Sequence, residues 1–234
     1  MGAAEPSIIH LEKVYYRWPG RASFTLHVPK LTLRQSETVL LLGESGSGKS
    51  TLLSLICGTV SADSGHIFVA GADISKLSAG KRDSFRAEQI GLIFQQFNLL
   101  PFASVKDNIL LPLNFAPKRR KRVTNLHLEA ERLCDELGLS DDLIMARAGT
   151  LSVGQQQRVA AARALIGAPP LIIADEPTSS LDAATQTVFL SLLFSQARAN
   201  GSTLLMVSHD ARLSNQFDRV IHMSEIIQTE RGMP

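Results

Sequence analysis

The chain has only two cysteines in 234 residues, a formal net charge of just +2 and no long apolar run. Cys57 and Cys134 stand far apart, and neither has a CxxC or Cys/His neighbourhood, so neither a disulfide framework nor a cysteine zinc site is in view. Each sits in an apolar, helix-like stretch and is expected to be a reduced core residue. No two of the six histidines show the i, i+4 spacing of a helical zinc site, and a metal held by protein ligands alone is not expected. The 24 basic and 22 acidic residues nearly cancel, which argues against nucleic acid as a partner and requires any anion site to be local. The longest apolar runs, TVLLLG (Thr38 to Gly43) and PPLIIAD (Pro169 to Asp175), fall far short of the ~18 residues needed to cross a bilayer, so membrane spanning is excluded. The opening MGAAEPSIIH has neither the basic region nor the apolar core of a secretion signal, and Pro6 breaks the myristoylation pattern that Gly2 suggests. A cytoplasmic protein is expected.

What is present is an alternation of short apolar runs with longer amphipathic ones, the pattern of an α/β layer protein. Strands are expected at Val39 to Leu42, Ile67 to Ala70, Ile90 to Phe94, Leu171 to Ala174 and Leu204 to Val207. Several are apolar throughout, which points to a mostly parallel sheet buried on both faces. From about Asn98 to Ile166 strand signals give way to helical ones, so residues 98–166 read as a helical insertion into a core of 1–97 and 167–234. The length suits one such domain. Within the insertion the basic run PKRRKR (Pro117 to Arg122) reads as a solvated loop, with contact to acidic lipid or an acidic partner as the alternative.

Three motifs carry chemistry. GESGSGKST, comprising Gly43, Glu44, Ser45, Gly46, Ser47, Gly48, Lys49, Ser50 and Thr51, follows a strand and opens a helix. That is the context of a phosphate-binding loop: glycines let backbone N–H groups turn inward around phosphate, and the helix dipole favours the anion. Lys49 should reach the β and γ phosphates and the Ser50 hydroxyl should ligate Mg²⁺. LIIADEPTSSLD ends an apolar strand in two acids. Asp175 can hold Mg²⁺ directly or through water, leaving Glu176 to polarise an attacking water. TLLMVSHD places His209 at another strand end, within reach of a γ phosphate.

With these motifs, LSVGQ (Leu151 to Gln155), about twenty residues before the acid pair, resembles the signature of ATP-binding cassette (ABC) ATPases. The resemblance covers nearly the whole chain: the phosphate loop, a glutamine loop at Gln95, the signature, Asp175 with Glu176, SSLD (Ser179 to Asp182) and His209. It implies a P-loop ATPase fold of the ABC type, with an antiparallel N-terminal β part, a parallel core and a helical subdomain. It implies that Trp18, 25 residues before Gly43, stacks on adenine, though Tyr15 and Tyr16 lie close by. Gln95 would sense Mg²⁺ and the attacking water, and the segment after it would face a membrane partner. Glu176 would be the general base, and His209 would hold the γ phosphate. Asp182 is the acid of the SSLD loop. Val153 stands where the commonest signature has glycine, while Ser152, Gly154 and Gln155 keep the pattern.

The text IGLIFQQFNLLPFASVKDNILLPL is similar to the subgroup serving lipoprotein release, macrolide export and the bacterial cell-division ABC complex. It implies an ATPase peripheral to the inner face of a bacterial membrane, working with an integral permease subunit to export or extract a lipid, lipoprotein, peptide or drug. The same engine could instead signal through a membrane partner to an enzyme outside the membrane. A soluble ABC ATPase of translation or DNA repair is disfavoured by the single phosphate loop and the lack of sustained heptads. Ser152, Val153, Gly154 and Gln155 begin a helix whose free N–H groups suit a γ phosphate. In this family that phosphate belongs to a second copy of the chain. Gln156, Gln157 and Arg158 read as helix surface.

Overall fold

The computed structural model describes residues 7–18, 25–179 and 181–228. Gly2, Pro6 and Ser180 lie outside them. The chain divides into two compact units, residues 1–86 with 207–234 and residues 87–206.

In the first unit, strand β1 (Ser7–Arg17) pairs antiparallel with β2 (Thr25–Arg34), setting Leu11 opposite Leu31, Val14 opposite Val28 and Tyr16 opposite Leu26. Those six side chains are buried, so one face of the ribbon supplies a core layer. On its other edge β1 takes β4 (Ser64–Val69) antiparallel, and β4 takes the two-residue β5 (Ala72–Asp73), giving the order β2-β1-β4-β5. The register shifts between Glu12 and Tyr15. At that irregularity Lys13 turns to φ 50°, and the Lys13 carbonyl oxygen sits only 2.3 Å from where a Cβ on Gly65 would stand. Only glycine fits there. Strand β3 (Thr38–Leu42), buried at all five positions, pairs parallel with β9 (Arg219–His222) and runs through the phosphate loop into helix α1 (Lys49–Ile56). Helix α2 (Ala79–Gln89) then carries the chain from the first unit into the second.

In the second unit, β6 (Ile90–Ile93) pairs parallel with β7 (Leu171–Asp175), and β7 neighbours β8 (Thr203–Ser208), whose last two residues belong to the first unit. Between β6 and β7 lie α3 (Val105–Leu110), α4 (Pro117–Arg122), α5 (Leu126–Glu136) and α6 (Val153–Leu165). Helix α7 (Ala183–Ala199) follows β7, and the short α8 (Met223–Ile226) follows β9. The alanines of α6, buried from Ala160 to Ala162 and at Ala164, let it press against β6, where a Cβ on Gly91 would stand 2.1 Å from the Ala164 carbonyl oxygen. Four of the helix starts carry a side-chain cap: Ser104 on α3, Asn125 on α5, Ser152 on α6 and Asp182 on α7.

The five expected strands are β3, β4, β6, β7 and β8, with β4 antiparallel and starting three residues earlier than its apolar run. Both cysteines are free and buried. The basic run is not the expected solvated loop. It forms α4, and Arg119 within it is buried among carbonyl oxygens. Its guanidinium donates to the carbonyls of Ala87, Ile90, Ala164 and Ile166, while the Glu88 carboxylate accepts from the backbone N–H groups of Lys118 and Arg119. The run could form a helix because Glu88 and the carbonyls satisfy one of its cations and the helix start together, leaving the other cations on the exposed face.

Candidate functional site

The phosphate loop lies in the first unit. Gly46 and Gly48 adopt φ of 78° and 97°, which turns the loop back on itself. Gly48 stands at the N-cap of α1 and, lacking a side chain, leaves the helix start without the side-chain cap given to α3, α5, α6 and α7. The first N–H groups of α1 therefore face the loop's interior as donors. Buried Lys49 folds its ammonium back on the loop, donating to the carbonyl oxygens of Gly43 (2.6 Å) and Glu44 (2.9 Å). Those oxygens take two of the three donors of the ammonium. Glu44, Ser45 and Gly46 are exposed, so a ligand can reach the cradle from solvent. Ser47 Oγ is buried with no hydrogen-bond partner, an orphan that a phosphate oxygen would satisfy.

Two other predicted residues share this unit. The indole N–H of Trp18 donates to Thr51 Oγ1 at 3.0 Å, tying the ring to the start of α1, and the ring stands edge-on to Tyr16 at 5.4 Å and 81°. Tyr16 is buried, whereas Trp18 is half-exposed and so offers the more accessible face. The Gly43 N–H donates to the Ser208 carbonyl at 3.4 Å, joining the loop's first residue to the strand end just before exposed His209. After His209, Asp210 caps the next turn, and two hydrogen bonds from the Arg212 side chain hold its carboxyl below the usual range.

The remaining predicted residues lie in the second unit. Gln95 is exposed two residues beyond β6, and after it Phe97 and Asn98 both adopt left-handed backbone, at φ 57° and 49°. Phe94, Leu100 and Phe102 of the same segment are exposed. Half-buried Asp175 ends β7, and Glu176 follows it at φ 44°, a conformation that costs a non-glycine residue about 1–3 kcal/mol unless its surroundings enforce it. Asp182 caps α7 through the N–H groups of Ala184 and Thr185. Its carboxyl is lowered chiefly by the Thr185 hydroxyl.

At the signature the helix start is closed on itself. Ser152 Oγ accepts from the Gln155 N–H at 3.3 Å, and Gln155 Oε1 accepts from the Ser152 N–H at 2.9 Å. This leaves the N–H groups of Val153 and Gly154, the Ser152 hydroxyl proton and the Gln155 side-chain amide as the donors an anion would meet, with fewer backbone N–H groups than the open helix start expected from sequence. A cavity of about 290 Å³ lies beside them, lined among others by Ser152, Gly154, Gln155 and Arg158. Gln157 departs from the surface position expected of it: it is buried, and its amide donates to the Pro177 carbonyl at 2.8 Å. Gln157, Ala160, Ala161 and Ala164 share one face of the helix, an i, i+3, i+4, i+7 row whose small residues could have marked that face as buried.

The ABC transporter family model matches residues 26–179, more than half of the chain. The chain belongs to the ABC transporter family. Within the family it is an ATP-hydrolysing cassette. Among its relatives, the lipoprotein-releasing system ATP-binding protein LolD of Porphyromonas gingivalis is 39% identical over 195 residues, spanning 83% of this chain and 87% of that protein. The macrolide export ATP-binding/permease protein MacB of Rhodopirellula baltica is 38% identical over 200 residues, which are 86% of this chain but 29% of MacB. The dimeric post-hydrolysis structure of the ATP-binding cassette MJ0796 bound to ADP and Pi superposes with a TM-score of 0.77 at 30% identity, covering 97% of this chain and 99% of that one. No described helix of this ABC cassette is long and apolar enough to cross a membrane.

Mg²⁺ suits the donors the cassette offers. Ser50, Gln95 and Asp175 supply a hydroxyl, an amide and a carboxylate oxygen, the hard ligands this ion takes in small number while keeping water and phosphate oxygens. Among the described residues no cluster of three or more His, Cys, Asp or Glu side chains could hold a metal alone.

Proposed function

We propose that the chain is the ATP-hydrolysing subunit of a bacterial ABC transporter, powering a separate integral permease that exports or extracts a lipid, lipoprotein, peptide or drug. The uncapped start of α1, with Lys49 resting on loop carbonyls and Ser47 Oγ orphaned, carries the reading of nucleotide binding. Trp18 offers its ring to adenine. Residues 43–51 wrap the phosphates, with Lys49 on the β and γ groups. Bound Mg²⁺ would neutralise charge developing on the phosphate oxygens, held by Ser50, by Gln95 and, directly or through water, by Asp175. Glu176 takes a proton from the attacking water, Gln95 orients that water and His209 holds the γ phosphate. Ser152, Val153, Gly154 and Gln155 close over ATP bound to a second copy of the chain, and Asp182 anchors the loop between the acid pair and α7. The dimeric form of MJ0796 supports that pairing.

The exposed side chains of Phe94, Leu100 and Phe102, on the segment after Gln95, support a permease docking there and hence a place on the inner face of the membrane. LolD's similar length and name favour an export or extraction role. The strand-free stretch between β6 and β7 supports a helical insertion of about 98–166 within a core of 1–97 and 167–234.

Replacement Glu176→Gln tests the assignment. Turnover should fall by about 10² to 10⁴ while ATP binding survives, because only the base is lost. Near-normal hydrolysis by this variant would remove Glu176 from its role.

A further inference from the structure

The signature helix does more than present Ser152. Two polar side chains on its buried length reach out of it, each to a backbone carbonyl of a segment that carries a proposed hydrolytic residue. Gln157 donates to the Pro177 carbonyl, immediately after Glu176. Six residues further along α6, Arg163 is buried and its guanidinium donates to the carbonyls of Phe97 and Asn98, two and three residues after Gln95. All of these residues lie in the second unit.

Both receiving segments are held in backbone that side-chain-bearing residues avoid. Glu176 has φ 44°, and Phe97 and Asn98 have φ 57° and 49°. Such conformations persist only where the surroundings over-determine them. Around Glu176 the turn is tight: the Ser179 N–H donates to the Glu176 carbonyl at 3.3 Å, and Thr178 Oγ1 accepts from the Gln186 amide on α7 at 2.8 Å. Gln157 is the fastening that comes from α6. Around Phe97 and Asn98, the Asn98 N–H reaches only back to the Gln96 carbonyl, and the long-range hold on both carbonyls is Arg163. Burial depresses the Arg163 guanidinium, and the two carbonyls accept its donors and fix its direction.

We propose that Gln157 and Arg163 are positioning residues that make α6 a rigid link: the anion contact at Ser152 is transmitted to the chain's own Glu176 turn through Gln157 and to its own glutamine loop through Arg163. Along a helix rising 1.5 Å per residue, Gln157 is about 7.5 Å and Arg163 about 16 Å from Ser152, so one short rod spans both attachments. The link rests on the reading of Ser152 as a contact to the partner copy's nucleotide and of Glu176 as the base. It adds that occupancy of one site sets the geometry of the other.

The test uses the full chain. Gln157→Met keeps the side chain's length and removes its donors. The expected result is ATP affinity close to wild type, a urea midpoint lowered only slightly by the unpaired Pro177 carbonyl, kcat lowered roughly tenfold with KM little changed, a Hill coefficient for ATP lowered towards one, and faster amide exchange at Thr178 and Ser179. Wild-type kcat and exchange overturn the proposal. So does a fall in kcat matched by equal losses of ATP affinity or urea midpoint, which marks a merely structural amide. At the second attachment, Arg163→Lys should retain more turnover than Arg163→Met at matched urea midpoints, and equal losses in the two overturn that half of the link. The exchange measurement is independent of the base assignment. If Glu176→Gln keeps its turnover while Gln157→Met loosens Thr178 and Ser179, the base assignment fails and the link stands.

Discussion

The starts of α1 and α6, both proposed to meet ATP, are built in opposite ways. Helix α1 opens on a glycine in left-handed backbone with no side-chain cap, and its donors are aimed at a loop interior that also holds a buried lysine and an orphaned hydroxyl. Helix α6 opens on a reciprocal capping box, with two of its donors already used. The first start is incomplete without an anion. The second is largely complete on its own and adds only a hydroxyl proton, two backbone N–H groups and the Gln155 amide to a ligand that something else already holds. On the proposed function, a chain with one strong and one weak half-site binds ATP alone and completes the enclosure only by pairing.

The strongest way to break this contrast is at Lys49. Lys49→Ala removes the only buried lysine of the loop, and turnover should fall by at least about 10²- to 10³-fold with a clear loss of ATP affinity, measured by hydrolysis and nucleotide titration. Retained affinity would mean the loop backbone alone binds phosphate, and the asymmetry between the two starts would be smaller than their caps imply. Dilution probes the same contrast without mutation. Specific activity should drop as the dimer dissociates while ATP binding per chain holds, and equal activity at high dilution would refute completion in trans.

A buried cation resting on carbonyl oxygens occurs in both units, and comparing Lys49 with Arg119 separates a poised group from a fixed one. Lys49 lies on two carbonyls of an exposed loop, and phosphate oxygens can replace them. Arg119 is engaged by four carbonyls in the interior. Burial and the neighbouring Arg122 charge push its guanidinium down to about 10, with Glu88 opposing, so it stays protonated at neutral pH. Arg119→Met leaves those carbonyls buried and unpaired and should cost about 3–5 kcal/mol by urea denaturation. Lys49→Ala should hardly move the urea midpoint. A stability loss in the lysine variant as large as in the arginine variant would erase the distinction between the two cations.

The sequence made the ligand-facing half of this picture legible because that chemistry needs fixed residue types at fixed spacing. Glycines at 46 and 48, a lysine at 49 and an acid pair closing an apolar run leave little freedom. The antiparallel ribbon of β1 and β2 was harder to read in residue detail, since Glu12, Lys13 and His10 interrupt its apolar alternation and Trp18 and the tyrosines suggested competing roles. Arg119, Gln157 and Arg163 were not legible as internal groups. Arg119 and Gln157 are polar residues in polar-looking stretches and Arg163 is a lone cation in an alanine-rich run, and what each meets inside is a carbonyl oxygen about thirty or more residues away for Arg119 and Arg163, and twenty for Gln157. Residue type marks a group that meets a ligand, but a polar group that meets backbone shows itself only once the chain is folded.

The smallest expected effect sharpens the comparison most finely. Ser152→Ala removes the side-chain acceptor of the Gln155 N–H while leaving the Gln155 side chain free to accept from the backbone N–H at position 152, so the helix start loses half of its box and stability should fall by about 1 kcal/mol. The same change removes the hydroxyl donor that the start of α6 offers to a phosphate. If that donor acts, as proposed, only on nucleotide held by the partner's loop, ATP affinity measured at monomer concentrations should stay at the wild-type value, and turnover at dimer concentrations should fall. Ser152→Thr keeps the cap and the hydroxyl and should restore both stability and turnover. Loss of ATP affinity in dilute Ser152→Ala would place the Ser152 hydroxyl on the chain's own nucleotide, and the second helix start would then belong to the first site.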